Sequence, residues 1–143
     1  MGLFSAIGGR CFTLDRQHKA LYHAATVMAS NNLVSLLAVS QQMLEAAGVS
    51  AQESRTILQP LMQNTFSNYL KSNPVAALTG PISRGDSSTV ASHLASLEQH
   101  PDWRAIYSSL GAAALGIAAQ QPYASKAQLD AIARLLDRDS PHE

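Results

Sequence analysis

The sequence predicts an all-α fold with one long central helix and four or so shorter helices. Three observations support this prediction. The stretch 16–47 contains neither Gly nor Pro, later segments place apolar residues at helical spacing, and only the short stretch 10–14 has the character of a strand. The chain of 143 residues is long enough for one compact domain, so we expect a single helical domain over 1–143.

The long helix is predicted to start after Asp15, which can cap it, and to stop at Gly48. Residues 20–44 include no Asp, Glu, Lys or Arg, yet polar residues interrupt every apolar run well short of the ~18 residues that a membrane span needs. Such a helix is expected to be buried in protein on most of its sides. We therefore expect a homodimer in which a second subunit covers part of it; a monomer with a long central helix is the alternative.

The other helices are predicted from capping residues and helix-breaking residues. Ser50 and Glu53 form a capping box at the start of the second helix, in which Pro60 is expected to introduce a kink. The segment 75–85 is expected to be an ordered loop. The remaining predicted boundaries, in chain order, are an end at Asn73–Pro74, a third helix from Asp86 or Ser87 to about Gln99, a fourth from Pro101, and a last one after Ser125.

The charge balance and the single cysteine exclude several classes of function. Ten basic residues balance ten acidic ones, so the sequence has no excess of positive charge that would favour binding to nucleic acid or to an anionic membrane. Cys11 alone cannot form an intrachain disulfide or a cysteine-rich zinc site, and no metal-binding motif is present. The start of the chain lacks the features of a signal peptide, so we expect a cytoplasmic protein.

One end of the long helix has a polar stripe. At 100° per residue, Lys19, His23, Thr26 and Ser30 fall within an arc of ~60°. Lys19 could polarise a carbonyl oxygen or donate a proton to it, and His23 could share that role. The alternative is that this stripe is the solvated end of a long helix. Asn31 and Asn32 follow within the uncharged stretch, and buried amides there need partners in protein or in a ligand.

A second candidate region is the loop 77–86 with the helix that follows it. Glycines, a proline and hydroxyl groups lead into a helix N-terminus, where free N–H groups favour an anion. Arg84 could bind a carboxylate in bidentate fashion, and His93 shares a helix face with Thr89. The alternative is an ordinary connection between helices, with Asp86 as the cap.

Several short blocks of the sequence, at 19–25, 29–31, 77–81, 84–86, 89–90 and 93–94, resemble the C-terminal domain of a group of Rossmann-like bacterial oxidoreductases. In that group this domain is usually catalogued as a domain of unknown function, and the similarity extends roughly from Phe4 to Leu115. The layout is more distantly similar to pyrroline-5-carboxylate reductase and ketopantoate reductase. The resemblance implies a helical dimerisation domain like that of 6-phosphogluconate dehydrogenase-type reductases.

The resemblance also implies an activity, namely NAD(P)H-dependent reduction of a small carbonyl or imine compound that bears a carboxylate. The cofactor, NADP or NAD, would be bound by a missing N-terminal Rossmann domain to which residues 1–14 are the crossover. The chain alone would then bind no cofactor and have no activity. Lys19 and His23 would be catalytic, although His23 stands where ketopantoate reductase has an amide. The residues expected to bind substrate are Ser30, Asn31, Thr79, Arg84, Asp86, Thr89 and His93. The alternative function is a non-catalytic helical module for dimerisation or small-ligand binding.

Overall fold

The computed structural model describes residues 13–137, and all regular secondary structure within this range is helical. The predicted all-α class is therefore confirmed. Of the predicted strand at 10–14, residues 10–12 lie outside the described residues, and Thr13 and Leu14 belong to no strand. The helices fall into two compact units, the first ending at Ser54 and the second starting at Arg55.

The first unit contains the long helical run 16–46. A 3₁₀ turn, Arg16–His18, leads into α1, Lys19–Val27; a π-helical segment, Met28–Asn32, then joins α1 to α2, Leu33–Ala46. Asp15 caps the start as predicted, because its Oδ1 accepts a hydrogen bond from the Gln17 N–H at 3.3 Å. Gly48 ends the run with φ of +91°, and the N–H of Val49 donates to the carbonyl of Leu44.

The π-helical segment was not predicted, because nothing in 16–47 marks a change of helical register. A π-helical turn accommodates an extra residue, and such turns are frequent at functional sites. The residues after Asn32 are therefore rotated from the positions that a uniform 100° per residue assigns to them. The predicted arc holds within α1 for Lys19, His23 and Thr26, whereas Ser30 lies inside the π segment.

The second unit takes up nearly all of α3, Ala51–Lys71, and the four helices after it. The predicted capping box at the start of α3 is confirmed, since the Ser50 N–H donates to Glu53 Oε2 and the Glu53 N–H donates to Ser50 Oγ. The helix continues through Pro60. The other helices are α4, Pro74–Ala77; α5, Ser87–Ser96; α6, Pro101–Ala118; and α7, Lys126–Asp137.

The expected loop over 75–85 is shorter than predicted. Asn73 Oδ1 accepts a hydrogen bond from the Ala76 N–H at 3.0 Å, and Pro74 occupies the first helical position, so the chain forms the single turn α4 before the loop begins. Helix α5 ends at Ser96 rather than near Gln99. A capping box of Ser125 and Gln128 starts α7.

The hydrophobic core of the second unit lies among α5, α6 and α7. Its buried side chains are Val90, Leu94, Ile132 and Leu136. A small residue in α6 permits close helix contact at Gly111, because a Cβ there would lie 3.0 Å from Cδ1 of Leu136. The Ile82 side chain packs against this core, so the loop before α5 is anchored to it.

Candidate functional site

The loop between α4 and α5 is held in place by Gln121, which lies just after α6. The Ser83 hydroxyl donates to Gln121 Oε1 at 2.7 Å, and Gln121 Nε2 donates to the carbonyls of Val75 and Leu78. Ser83 and Gln121 are both buried. Because buried polar groups that are hydrogen-bonded to each other resist displacement, the loop has a fixed conformation.

Gly85 fixes the end of the loop against the start of α7. Its φ is +70°, and a Cβ at this position would lie 2.8 Å from Cβ of Gln128 and 3.0 Å from Cβ of Ala124. Both the dihedral angle and the close approach require glycine. The backbone therefore enters α5 in one orientation, which places Asp86 at the helix start.

Asp86 caps α5. Its Oδ1 accepts a hydrogen bond from the Thr89 N–H at 3.0 Å, and its Oδ2 accepts one from the Thr89 hydroxyl at 2.6 Å. Hydrogen bonds from the Thr89 hydroxyl and then from the Thr89 N–H lower the pKa of Asp86; burial opposes them, and the charges of Arg84 and His93 lower it further. Asp86 is thus a charged cap, and the substrate role assigned to Asp86 and Thr89 stays a prediction.

The other predicted residues of the second unit lie on the same loop and helix. Thr79 and Arg84 are exposed on the loop, and His93 is exposed one turn after Thr89 on α5. The charges of Arg84 and His93 both lower the pKa of the Asp86 carboxyl group. The structure therefore places Arg84, Asp86 and Thr89 around the start of α5, whereas His93 lies in the last turn of that helix.

Sequence patterns did not predict the partner of His93. Nδ1 of His93 lies 2.9 Å from the hydroxyl of Tyr107 on α6, and the two rings meet edge to face with centroids 5.7 Å apart. Tyr107 appeared in the sequence only as one of several apolar residues at helical spacing. The pairing of α5 with α6 is needed to find this contact, and no single-helix pattern contains it.

In the first unit, the predicted site residues Lys19, His23, Ser30 and Asn31 are all exposed within the single chain. The Ser30 hydroxyl donates to the Thr26 carbonyl at 2.6 Å and to Asn31 Oδ1 at 2.9 Å. The Thr26 hydroxyl donates to the His23 carbonyl at 2.8 Å. These hydroxyls therefore bond to the helix itself, around the π segment.

The predicted cover of the long helix does not come from its own unit. No residue of 16–46 is buried in the single chain, and several apolar side chains are widely exposed, among them Leu21 at 70%, Met28 at 59% and Val34 at 68%. The expectation that other protein surrounds this helix stays a prediction.

Metal sites and membrane spans are both absent from residues 13–137. In this part of the chain, no cluster of three or more His, Cys, Asp or Glu residues could hold a metal ion. Likewise, none of the described helices has the length and apolar character needed to cross a membrane.

Comparison with curated proteins finds no significant match, and comparison with solved structures finds none either. One family model does match, and it covers residues 1–114. That range includes the long helical run, the anchored loop and α5, and it ends within α6. The chain belongs to the family described as a domain of unknown function, DUF2520.

Proposed function

We propose that this chain is the substrate-binding and dimerisation domain of an NAD(P)H-dependent reductase. The substrate is a small carbonyl or imine compound that bears a carboxylate. A separate Rossmann domain binds the nucleotide, and the residues of this chain bind and orient the substrate. The observation that carries the proposal is the anchored loop, whose buried Ser83–Gln121 bond fixes Arg84 and the start of α5.

The chemistry at the start of α5 supports binding of a carboxylate. Arg84 supplies a guanidinium group, whose fork of N–H donors matches a carboxylate. The negative charge of Asp86 is already engaged by two hydrogen bonds from Thr89. Because the backbone of the loop is anchored, a ligand carboxylate could bind the exposed Arg84 side chain without a change in the loop.

Lys19 and His23 are proposed to polarise the carbonyl or imine, or to donate its proton. Both side chains are exposed in the single chain, so a pocket around them requires other protein. In the proposal this protein is the Rossmann domain or a second copy of the chain. A second copy would also cover the apolar side chains of the long helix, which include Leu21 and Val34.

The activity is tested in the intact reductase, with its Rossmann domain, against a panel of 2-oxo acids and cyclic imines. Lys19→Ala should lower turnover by at least ~10²-fold, the usual scale for proton-transfer catalysis. Lys126→Ala is the matched control, because Lys126 is an exposed lysine in a surface ion pair with Asp130. Near-normal turnover of Lys19→Ala would instead favour the alternative, in which Lys19 is only a solvated residue at the end of the long helix.

The assignment of nucleotide binding to the Rossmann domain is tested with this chain alone. NADPH added to the isolated chain should not bind, because the proposal assigns the nucleotide to the Rossmann domain. Tight binding, measured by calorimetry, would contradict that assignment. No reduction of any compound by the intact protein would instead favour the alternative, a non-catalytic helical module.

Dimerisation is tested by light scattering with size-exclusion chromatography. The chain should elute as a dimer, and Val34→Asp should convert it to a monomer because a carboxylate would be buried without a partner. Leu70→Asp is the control, since Leu70 on α3 is an apolar residue that is exposed at 79%, compared with 68% for Val34. A dimer that is broken by Leu70→Asp and not by Val34→Asp would contradict the interface.

A further inference from the structure

The contact between His93 and Tyr107 has a defined geometry that the roles proposed above leave unexplained. The Nδ1 atom of His93 and the hydroxyl of Tyr107 are 2.9 Å apart, and the ring planes are nearly perpendicular at 89°. Tyr107 is half-buried and packs against the core formed by Val90, Leu94 and their neighbours, whereas His93 is exposed. An exposed imidazole is therefore fixed by a hydroxyl that the core holds in place.

The chemistry of the two groups decides the direction of this hydrogen bond. A neutral imidazole has one N–H donor and one unprotonated nitrogen, which is a strong acceptor. A phenol donates well but accepts weakly, because its oxygen lone pair is delocalised into the ring. Burial raises the pKa of Tyr107, so its hydroxyl stays protonated. These properties favour donation from the Tyr107 hydroxyl to Nδ1, which leaves the proton of the imidazole on Nε2.

We propose that Tyr107 is a positioning residue that holds His93 in the Nε2–H tautomer, so that His93 donates a hydrogen bond to an oxygen of the bound carboxylate or carbonyl. The inference rests on the proposed function, and it names the role of one residue in that site. The neutral N–H donor of His93 would add to the donors of the Arg84 guanidinium in binding an oxygen-rich ligand. His93 in this arrangement is no general base, because its only unprotonated nitrogen is engaged by Tyr107.

The groups around the pair are consistent with this role. The carboxylate of Asp86, the cap of α5, interacts electrostatically with His93, and Arg84 acts on the same carboxylate. Both carboxylate oxygens of Asp86 accept hydrogen bonds from Thr89, so this carboxylate is engaged at the helix start rather than by the imidazole. On α6, Arg104 donates to the carbonyl of Leu94, the residue after His93, and so attaches this turn of α5 to α6. The charged side chains of α7, the other helix packed on α5, are Lys126, Asp130, Arg134 and Asp137.

The tautomer is tested by NMR of the ¹⁵N-labelled chain at neutral pH, using long-range ¹H–¹⁵N correlations of the histidine rings. His93→Gln assigns the His93 signals by their disappearance. In the wild-type chain, Nε2 should have the chemical shift of a protonated ring nitrogen and Nδ1 that of an unprotonated one. Tyr107→Phe, which keeps the ring and removes only the hydroxyl, should give a mixture of both tautomers.

Tyr123→Phe is the matched control, because Tyr123 is 67% exposed beyond the end of α6. It should leave the His93 signals unchanged. A wild-type spectrum with the proton on Nδ1, or a His93 spectrum that Tyr107→Phe leaves unchanged, would overturn the inference. The first point needs only the wild-type spectrum and the His93→Gln assignment, so the test survives even if Tyr107→Phe folds poorly.

The consequence for binding is measured in the intact reductase, with the panel compound that it reduces fastest. Tyr107→Phe should raise KM by about 2- to 10-fold with little change in kcat, as expected when one binding hydrogen bond is weakened. A loss of kcat with unchanged KM would contradict a binding role. Failure of the proposed function is distinguishable, since it would appear as no reduction of any compound, whatever the tautomer of His93.

Discussion

The two units of the chain differ in what stabilises them. The second unit has its own core, in which Val90 and Ile132 are fully buried between helices. In the first unit, the helical run 16–46 buries no side chain, although residues 20–44 include no Asp, Glu, Lys or Arg. Burial of apolar surface is the main driving force of folding. One unit is therefore stabilised from within, whereas the long helix of the other gains little from burial in the single chain.

The difference also separates the two groups of proposed site residues. Those near α5 are positioned by buried hydrogen bonds, as between Ser83 and Gln121. Those near α1 are exposed, and the hydroxyls of Thr26 and Ser30 bond only locally along the helix. The loop before α5 is therefore held within the single chain, whereas the polar side chains of α1 are exposed there.

The largest expected effect concerns the core of the second unit. Ile132→Ala should lower the free energy of unfolding by about 2–5 kcal/mol, because it leaves a cavity next to Val90 and Leu136. Urea unfolding followed by fluorescence of Trp103, the one tryptophan, reports on this unit. Leu70→Ala, at an exposed position of the same unit, should change it by less than about 0.5 kcal/mol. Equal effects at the two positions would contradict a core at Ile132 that stabilises the second unit.

The next largest expected effect on the free energy of unfolding is at Gly85, in the loop that contains Arg84. Gly85→Ala should cost about 1–3 kcal/mol, because φ is +70° and the added Cβ would meet Gln128 and Ala124. Gly116→Ala is the control, since a Cβ on this residue of α6 meets nothing within 4 Å. That substitution should stabilise the helix by about 0.5–1 kcal/mol. The two changes should thus have opposite signs in the same urea assay, and effects of the same sign would contradict the close approach at Gly85.

A smaller effect depends on pH through Asp86. Its folded-state pKa is below the ordinary value of 3.8, so its charged form contributes stability above that value and loses it as pH falls through the lower folded-state pKa. Asp86→Asn keeps a capping side chain but removes the charge. The wild type should unfold at a higher urea concentration than this variant at neutral pH. This difference in urea midpoint should disappear below the folded-state pKa of Asp86. A gap that is independent of pH would exclude the charge as its source.

The sequence predicted most of the fold, because the signals for it are local. Asp15, Ser50 and Asp86 each cap a helix as expected, and each does so through backbone N–H groups within three residues. Such contacts depend only on nearby residues, so a sequence pattern is sufficient to find them. The turn α4 was missed, although its signal, Asn73 followed by Pro74, is equally local.

The candidate site was less predictable, because its decisive contacts join distant parts of the chain. Ser83 meets Gln121 across 38 positions, and His93 meets Tyr107 across 14. These contacts depend on how α5, α6 and α7 pack, which no spacing along one helix reveals. The π segment at Met28–Asn32 was missed for another reason. It changes the helical register without any Gly or Pro to mark the change.

The smallest expected effect is at Val34, and it tests the contrast between the units most directly. Val34 is 68% exposed in the single chain, so Val34→Ala should change the unfolding free energy by less than about 0.5 kcal/mol at concentrations where the chain is monomeric. If a second copy covers the long helix, the same variant becomes destabilising at higher concentrations, because association stabilises only the folded form. Circular dichroism melts over a dilution series measure this, with Ile132→Ala as a control whose cost is already present in the monomer. A Val34→Ala effect that stays near zero at all concentrations would contradict cover of the long helix at Val34 by a second copy of the chain.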